Sequence, residues 1–435
     1  MSRREPKREP PLEGRVVGLA RGGDAVVETA HGRVYVPLVA PGDRIRLRIV
    51  ERDRRIVRGE ALAVIEAGAA RVDSPCAYAD RCGGCPFLVV DLETQRRTKL
   101  GFLESALPRG GVAPGLEARI VAAGAPLGYR RRARLAFERV RTGVHLGYRP
   151  RRSRGVVDVE RCVVLSEALA EGLAALRPEL LPALEGSGEI RLSVGAEGRA
   201  IAVIESEGPQ PARVYELAER LVGARFAGLA IRAGGASAPA LFGDPVETIP
   251  HPSGLGLRGT VGGFSQANDA VNTELVRAVV ELARPEGARI LELYAGSGNL
   301  TVALAPSALS HTAVELDREA SEACRRNVAA IGAAVRVVTA DAAAAPRGPV
   351  DVIVLDPPRT GAEEAIETVL ACAPHRVVYV SCDTGTLGRD LARLASAGYV
   401  VDAAWAFDMF PGTPHVESLV RLVRRPMLAP VPGER

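Results

Sequence analysis

Short runs of alternating apolar and polar residues fill residues 11–66 of the chain. In the clearest run, residues 44–50, arginine and apolar residues alternate with the two-residue period of a half-buried β-strand. Turn-forming residues separate the runs at 21–24, 31–32 and 41–43, and the last of these turns reads Pro-Gly-Asp. Several short strands at this spacing predict a small β-barrel.

A different pattern begins near residue 261, where apolar runs of strand length alternate with helical segments. This alternation predicts a doubly wound, mostly parallel sheet. The predicted strands lie at 288–293, 312–315, 335–340, 351–355 and 377–381. Two further strands, 399–406 and 416–422, are expected to form an antiparallel pair at the edge of that sheet.

The middle of the chain mixes the two patterns, with predicted helices at 166–176 and 210–221 and predicted strands at 190–194 and 200–204. We therefore predict a chain of the α/β class with three domains, and a length of 435 residues leaves each domain room for a core. The domains are a small β-barrel over 1–68, a central α+β domain over 69–255, and a Rossmann-like domain over 256–435.

The distribution of charge says more than the formal net charge of +4. Arginines cluster at 52–58, 130–134 and 149–154, whereas lysine occurs only at positions 7 and 99. Such clusters suit a polyanion such as RNA, although solvated surface charge alone also produces them. No apolar run reaches the roughly 18 residues of a membrane span, and the charged N-terminus has no signal-peptide core. We expect a cytoplasmic protein with no membrane partner.

Three of the seven cysteines crowd together as Cys76, Cys82 and Cys85, and the next cysteine along the chain is Cys162. Four thiolates could hold either zinc or an iron–sulfur cluster, and their spacing does not separate the two. Three crowded thiols without a metal would be an unusual accident. The pattern therefore predicts a structural metal centre that joins the two segments.

Polar residues follow the predicted strands of the C-terminal region. A Gly-x-Gly loop, Gly296 to Gly298, stands between the first strand and a helix, and Glu315 ends the second strand, where it could bind ribose hydroxyls. Asp341 follows the third strand and Asp356 the fourth. Thr301 occupies the place of the last glycine in the NAD fingerprint, so S-adenosylmethionine is favoured over NAD as the cofactor.

The strand at 377–381 runs into Cys382 and then into an Asp-Thr-Gly turn that can open a helix. A thiol at the carboxyl end of a strand and beside a helix N-terminus is expected to have a pKa below the free value of about 8.5. The plainer interpretation is a small buried apolar residue. The antiparallel pair would bring Glu417 beside the strand that carries Cys382.

These stretches together resemble the RNA 5-methyluridine methyltransferases, a class I S-adenosylmethionine-dependent family, and the first 65 residues resemble the RNA-binding TRAM barrel. The matching segments are Phe264-Ser265-Gln266-Ala267-Asn268, 292–299, Asp356-Pro357-Pro358-Arg359-Thr360-Gly361, 379–390 and 409–417. Position 294–295 reads Tyr-Ala where many members have Phe-Cys, so the aromatic residue is kept.

The resemblance implies an enzyme in which Cys382 is the nucleophile and Glu417 the general base. It implies a [4Fe–4S] cluster on Cys76, Cys82, Cys85 and Cys162. The implied cofactor-binding residues are Gln266, Tyr294, Asn299, Glu315, Asp341 and Asp356. His415 is expected to shape its loop rather than to carry protons. The substrate would be RNA, with ribosomal RNA favoured over tRNA, and we expect a monomer.

Three other functions compete with this interpretation: two enzymatic activities and one binding function. A cytosine-C5 methyltransferase would also use a cysteine nucleophile, but the Glu417 motif favours uridine. An enzyme that methylates exocyclic nitrogens would use the Asp-Pro-Pro loop and leave Cys382 unexplained. An RNA-binding module with a vestigial methyltransferase fold would not transfer methyl groups at all.

Overall fold

The computed structural model describes residues 10–153 and 155–425. Lys7, Arg154 and the outer ends of the first and last predicted domains, 1–9 and 426–435, lie outside these described residues. The described chain forms a closed barrel, a seven-stranded sheet, a short hairpin and an eight-stranded sheet flanked by helices, which confirms the predicted α/β class.

The N-terminal barrel has the strand order β1-β2-β3-β5-β4. Its strands are β1 (Leu12–Leu19), β2 (Ala25–Thr29), β3 (Gly32–Val36), β4 (Arg44–Arg52) and β5 (Val57–Glu66). Alternate apolar residues such as Ile45 and Leu47 fill its core, and the arginines between them face outward. Asp43 of the Pro-Gly-Asp turn is fully buried, accepts hydrogen bonds from the Ala40 and Gly68 amides, and pairs with Arg71 at 2.6 Å. This carboxylate therefore closes the barrel.

Helix α1 (Leu92–Glu104) and strand β6 (Arg119–Val121) precede the seven-stranded sheet of the middle region. The strands of that sheet are β7 (Arg132–Val140), β8 (Gly143–Tyr148), β9 (Val157–Asp158), β10 (Ser187–Val194), β11 (Ala200–Ser206), β12 (Phe226–Ala233) and β13 (Ala240–Gly243). Their spatial order is β13-β12-β11-β10-β7-β8-β9. The helices α2 (Glu167–Leu176), α3 (Leu180–Ala183) and α4 (Ala212–Leu221) bury their leucines against it.

A hairpin of β14 (Thr248–Pro250) and β15 (Gly256–Arg258) leads into the C-terminal region. The strands there are β16 (Arg289–Leu293), β17 (Ser310–Glu315), β18 (Val335–Thr339), β19 (Val352–Leu355), β20 (Arg376–Ser381), β21 (Tyr399–Phe407) and β22 (Glu417–Arg424). The helices are α5 (Asp269–Ala283), α6 (Thr301–Leu304), α7 (Arg318–Ala330), α8 (Glu363–Cys372) and α9 (Thr384–Ser396). Short 3-10 turns lie at Ala196–Gly198, Ala305–Ser307 and Ala342–Ala344.

The eight-stranded sheet has the order β18-β17-β16-β19-β20-β22-β21-β6. The strands β16 to β20 are parallel, and β22 runs antiparallel between β20 and β21. The chain order reverses between β16 and β19, which is the switch point where open α/β sheets bind ligands at the carboxyl ends of their strands. One apolar core lies on each face of the sheet, with α8 and α9 on one side and α5 and α6 on the other.

The prediction that β21 and β22 pair is confirmed, but their predicted place at the sheet edge is wrong. Strand β6 pairs in parallel with β21, with Arg119 opposite Trp405, and so forms the edge itself. Leu103 of α1 is buried in the core beneath the same sheet. Both elements come from the range assigned to the central domain. No local pattern could show this, because a three-residue strand takes its identity from a partner far along the chain.

Candidate active site

Strand β20 delivers Cys382 to the carboxyl end of the sheet, as its apolar run predicts. The strand is almost completely buried, and the thiol one residue past its end is partly exposed. Asp383 caps α9, because its carboxylate accepts hydrogen bonds from the Gly385 and Thr386 amides at 2.8 and 2.9 Å. The cap fixes the turn that holds the thiol at the mouth of the cleft.

The expectation that this thiol has a lowered pKa is wrong. The pKa of Cys382 is raised to about 11, chiefly by burial and also by the carboxylates of Glu417 and Asp356, while Arg359 opposes them. The helix N-terminus contributes little, because Asp383 already occupies the amides that would have stabilised a thiolate. In the free protein Cys382 is therefore a thiol that must lose its proton before it can act as a nucleophile.

The antiparallel pairing of β20 with β22 places Glu417 across from Cys382. Ser381 lies opposite Ser418, so the next position in the register sets residue 382 against residue 417. Directly opposite residues in such a pair have Cα atoms about 4.5–5.5 Å apart and share one face of the sheet. The side chain of Glu417 is only 2 % exposed, and its Oε1 atom has no hydrogen-bond partner among the described residues. A buried carboxylate oxygen without a partner costs free energy, so it calls for a functional reason.

A group of carboxylates with one guanidinium surrounds these two residues. Burial raises the pKa of Glu417 well above its ordinary value, Asp356 raises it further, and Arg359 lowers it. Burial also raises the pKa of Asp356 to about 7, and Glu292 adds to the effect. Glu292 is itself buried and lies 2.9 Å from His311, a contact that the sequence did not predict. The cleft can therefore hold and release protons near neutral pH.

Removing the carboxyl group of Glu417 should change how stability depends on pH. The pKa of Glu417 is raised by folding above the unfolded value of about 4.3, so the folded state binds the extra proton over that interval. Stability must then fall as the pH rises through it. We expect the unfolding free energy of the wild type to fall, relative to that of Glu417→Gln, by up to about 1.4 kcal/mol per pH unit above pH ~5. Urea melts from pH 5 to 9 measure this, and parallel curves for the two proteins would contradict it.

Helix α9 also holds the Asp-Pro-Pro loop that follows β19. The carboxylate of Asp390 accepts hydrogen bonds from the Tyr379 hydroxyl at 2.7 Å and from the Ala362 amide at 2.8 Å. Arg389 donates to the carbonyl of Thr360 at 3.1 Å. Arg389 and Asp390, in the matching segment 379–390, therefore hold the Asp-Pro-Pro loop in place beside Cys382.

The Gly-x-Gly loop begins with a strained turn at the end of β16. Tyr294 has a φ of 64°, and Gly298, with a φ of 93°, would bring a Cβ atom within 3.1 Å of the Cys324 sulfur. The Gly296 amide donates to Oε2 of Glu315 at 2.8 Å, and Asp341 caps the turn after β18 by accepting from the Ala343 amide at 2.8 Å. The parallel strands bring these predicted residues to one edge of the sheet.

The remaining two predicted cofactor residues are placed differently. The Asn299 amide forms two reciprocal hydrogen bonds with that of Asn272, at 2.9 and 3.1 Å, so it anchors the loop to α5. Gln266 is buried in the wall of a separate cavity of about 770 Å³. Arg359 lines that cavity too, and its guanidinium is close enough to Cys382 to lower the pKa of that thiol.

The same cavity collects the predicted cysteines and much of the basic charge. It is lined by Cys76, Cys82, Cys85, Cys162, Arg130, Arg132, Arg134, Arg161 and Arg191, and also by the exposed ring of Phe264. Burial and the neighbouring thiolates raise the pKa of Cys85 to about 12. Within the described part of the chain, no group of three or more His, Cys, Asp or Glu side chains is arranged to hold a single metal ion.

His415 stands in the same cavity wall. The pKa of His415 is lowered to about 4, chiefly by burial and also by the nearby cations Arg359, Lys99 and Arg130. Its ring lies edge-on to Phe410, with the ring centroids 6.1 Å apart. A neutral, packed imidazole agrees with the expectation that this residue shapes the loop.

Some polar contacts around the site were not predicted from the sequence. Lys99 of α1 is completely buried against Asp408, at 2.5 Å, in the loop that leads to Glu417. One sequence feature could have pointed to it, because lysine is rare in a chain with 56 lysines and arginines in total.

No helix of the described residues is long and apolar enough to cross a bilayer.

Comparisons with known proteins agree with this geometry. The family model described as tRNA (Uracil-5-)-methyltransferase matches residues 255–342 and 348–425. The 23S rRNA (uracil(1939)-C(5))-methyltransferase RlmD of Chromohalobacter salexigens is 35% identical, over 93% of this chain and 88% of the relative. The RlmD of Halomonas elongata is 34% identical, over 97% of this chain and 92% of the relative.

A solved structure shares the whole fold. The Pyrococcus abyssi tRNA (uracil-54, C5)-methyltransferase, in complex with S-adenosyl-L-homocysteine, superimposes with a TM-score of 0.74. The match covers 94% of this chain and 100% of that one, at 24% sequence identity. The identity and coverage of the relatives, together with this shared fold, establish that the chain belongs to the family of S-adenosylmethionine-dependent RNA uracil-C5-methyltransferases.

Proposed function

We propose that this enzyme methylates C5 of a uridine in 23S ribosomal RNA, with Cys382 as the nucleophile and Glu417 as the general base. The observation that carries the proposal is the β20–β22 register, which sets Glu417, with a buried and unpartnered carboxylate oxygen, across from the Cys382 thiol. A structural carboxylate would be expected to have hydrogen-bond partners for both oxygens.

The chemistry of the uracil ring explains why both groups are needed. C5 of uracil is a poor nucleophile until a thiolate adds to C6 and converts the C4–C5 edge into an enolate. S-adenosylmethionine, when bound, supplies an electrophilic methyl group for C5. Glu417 then takes the C5 proton, the C5–C6 double bond forms again, and Cys382 leaves as a thiolate. The C6–sulfur bond made in the first step is broken in the last, and the enzyme is regenerated once Glu417 has passed the C5 proton to solvent.

Because the pKa of Cys382 is raised, its thiol must lose its proton after the RNA has bound. Its neighbour Asp356, whose pKa is raised to about 7, can accept this proton near neutrality and leaves Glu417 for the C5 proton. Arg359 is the cation that stabilises the thiolate most directly. The thiol would therefore ionise when RNA fills the cleft, which limits unwanted reactions of a free thiolate.

The proposed cofactor site is the edge of the sheet at the switch point, lined by Tyr294, Asn299, Glu315, Asp341 and Asp356, with Gln266 in the adjoining cavity wall. The Gly296 loop provides a close backbone approach, and Glu315 ends the second strand, which suits ribose hydroxyls. Each oxygen of Glu315 already accepts one backbone hydrogen bond and retains a lone pair for a ligand.

The basic cavity supports an RNA substrate whose target base leaves its stack. Its arginines suit phosphates, and Arg359 in its wall also acts electrostatically on Cys382. Ribosomal RNA is favoured because the RlmD relatives, which cover most of this chain, are named for 23S rRNA. The Pyrococcus enzyme, named for tRNA, shares the fold at a lower identity.

The substrate can be tested with radiolabelled S-adenosylmethionine and transcripts of 23S rRNA and of tRNA. We expect one 5-methyluridine in the 23S transcript, located by mass spectrometry of nuclease fragments, and no incorporation into tRNA. Methylation of tRNA alone would assign the tRNA alternative. Label at a cytosine would overturn the uridine assignment.

We also propose that Cys76, Cys82, Cys85 and Cys162 hold a [4Fe–4S] cluster. Four thiols that line one cavity are a suitable donor set, and the mutual repulsion of their thiolates calls for a positive centre. The donor set by itself suits zinc or an iron–sulfur cluster, and the resemblance of the chain to the RNA 5-methyluridine methyltransferases favours the cluster. The centre would join the segment after the barrel to the segment after β9.

Replacing one of these thiols should remove the cluster and weaken the fold. We expect Cys82→Ser to lose most of its bound iron and sulfide and roughly 2–4 kcal/mol of unfolding free energy, the size typical of a cross-link that closes a long loop. Iron and sulfide assays on anaerobically purified protein, with a chemical melt, measure both. Cys372→Ser, which changes a cysteine outside the cavity, is the matched control. Stoichiometric zinc in the wild type would contradict the cluster.

A further inference from the structure

A buried ion pair joins α1 to the loop that leads into β22. The Lys99 ammonium donates to Asp408 Oδ1 at 2.5 Å and to the Phe410 carbonyl at 2.9 Å. Both charged side chains are completely buried, and Arg96 reaches the other oxygen of Asp408 at 3.2 Å. A buried pair of this kind adds little net stability, because desolvation offsets the attraction. The main effect of this ion pair is therefore the geometry that it fixes.

The choice of lysine at this position is informative. Of the 56 lysines and arginines in the chain, only those at positions 7 and 99 are lysines. An ammonium is compact and can direct separate donors to a carboxylate and a carbonyl, whereas the planar fork of arginine needs more room. The pocket around Lys99 is thus shaped for the two acceptors on the loop.

Residues 408–416 form that loop, and four successive backbone carbonyls in it accept hydrogen bonds from residues in other parts of the chain. The contacts on successive carbonyls are Asn268 to Met409 at 3.3 Å, Lys99 to Phe410 at 2.9 Å, Tyr129 to Pro411 at 3.1 Å and the Phe87 amide to Gly412 at 2.8 Å. Gln95 of α1 accepts from the Gly412 amide at 2.8 Å and donates to the carbonyls of Phe87 and Val90. Glu417 follows directly after this loop.

We propose that Lys99 is a positioning residue for proton removal from C5. By fixing Asp408 and the Phe410 carbonyl, it sets the entry of the chain into β22 and so the reach of Glu417 toward the substrate. This inference rests on the proposed role of Glu417. Lys99 lies behind the loop and acts through it, so the addition of Cys382, which is carried by β20, does not depend on it.

The two steps can be timed separately. Attack by Cys382 is followed as the rate at which 5-fluorouridine RNA becomes covalently attached. Proton removal is followed as the decay of the methylated adduct on normal RNA in a single turnover. Because Lys99→Met leaves the buried Asp408 carboxylate with Arg96 as its remaining ion-pair partner, the main variant is the charge-balanced double change Lys99→Met with Asp408→Asn. Arg97→Met, on the exposed side of α1, is the control.

We expect the double variant to attach to 5-fluorouridine RNA within about threefold of the wild-type rate, while adduct decay slows about 10- to 100-fold, because a shift of about 1 Å can cost 10²-fold. Arg97→Met should match the wild type in both. If attachment and decay fall by the same factor, or if neither changes, the positioning role is wrong. If the wild type itself forms no adduct, the proposed function fails instead. Unchanged binding of S-adenosylmethionine, measured by calorimetry, confirms that the variant is folded.

Discussion

Cys382→Ala is expected to abolish methyl transfer and covalent attachment to RNA together. Removing a nucleophile should lower kcat by about 10⁴-fold or more, because no other group can activate C5 of the ring. The variant should still bind S-adenosylmethionine, because Cys382 lies at the end of β20 and the proposed cofactor site lies around β16 and β17. Label transfer from S-adenosylmethionine, and gel mobility after reaction with 5-fluorouridine RNA, measure the two losses.

Cys372→Ser is the matched control, because it removes a partly exposed thiol at the end of α8. This control should keep wild-type turnover and should form the same adduct. A Cys382→Ala protein that still became attached to 5-fluorouridine RNA would assign the nucleophile to another residue. Retained methylation by that variant would mean that the covalent route is wrong.

Glu417→Gln is expected to lose turnover and yet accumulate RNA attached to Cys382. Attack on C6 and methylation of C5 do not need the base, whereas release of Cys382 needs the C5 proton to leave. Loss of a positioned general base typically costs about 10²- to 10⁴-fold, so the methylated adduct should become the main species after one turnover. Denaturing gels with labelled S-adenosylmethionine would show protein, RNA and methyl label in a single band.

Two control variants are needed to interpret this result. Glu322→Gln changes an exposed carboxylate on α7 that pairs with Arg325, and it should behave as the wild type. The combination of Cys382→Ala with Glu417→Gln should form no adduct. Equal trapping of RNA by the two single variants would falsify the assigned roles, because only the variant that keeps the thiol can form the bond.

The strongest local patterns in the sequence predicted the strands and the turn around Cys382 well. The apolar run before Cys382 forms β20, and the Asp-Thr-Gly turn opens α9 with Asp383 as its cap. The expected pairing of the last two strands brings Glu417 across from Cys382. Strand and turn propensities act over a few residues, so one sequence is enough to read them.

Properties that depend on distant neighbours were not accessible in this way. The pKa of Cys382 was expected to be low from the helix beside it, but burial and two carboxylates raise it. Strand β6 and helix α1 join the C-terminal sheet through contacts about 300 residues away, as in the bond from Lys99 to Asp408. Contacts with charged residues that are distant along the chain leave no periodic trace in the sequence.

The sequence by itself determined the kinds of groups that are available: a thiol at a strand end, a carboxylate after a loop, glycines before a helix and a set of four cysteines. Tertiary structure alone decided which of them meet. It set the register that opposes residues 382 and 417, the buried pair that holds the loop before Glu417, and the cavity that gathers the cysteines with the arginines. The physical reason is that proton affinity and reach depend on desolvation and on distances of a few ångströms, which arise only when remote segments pack together.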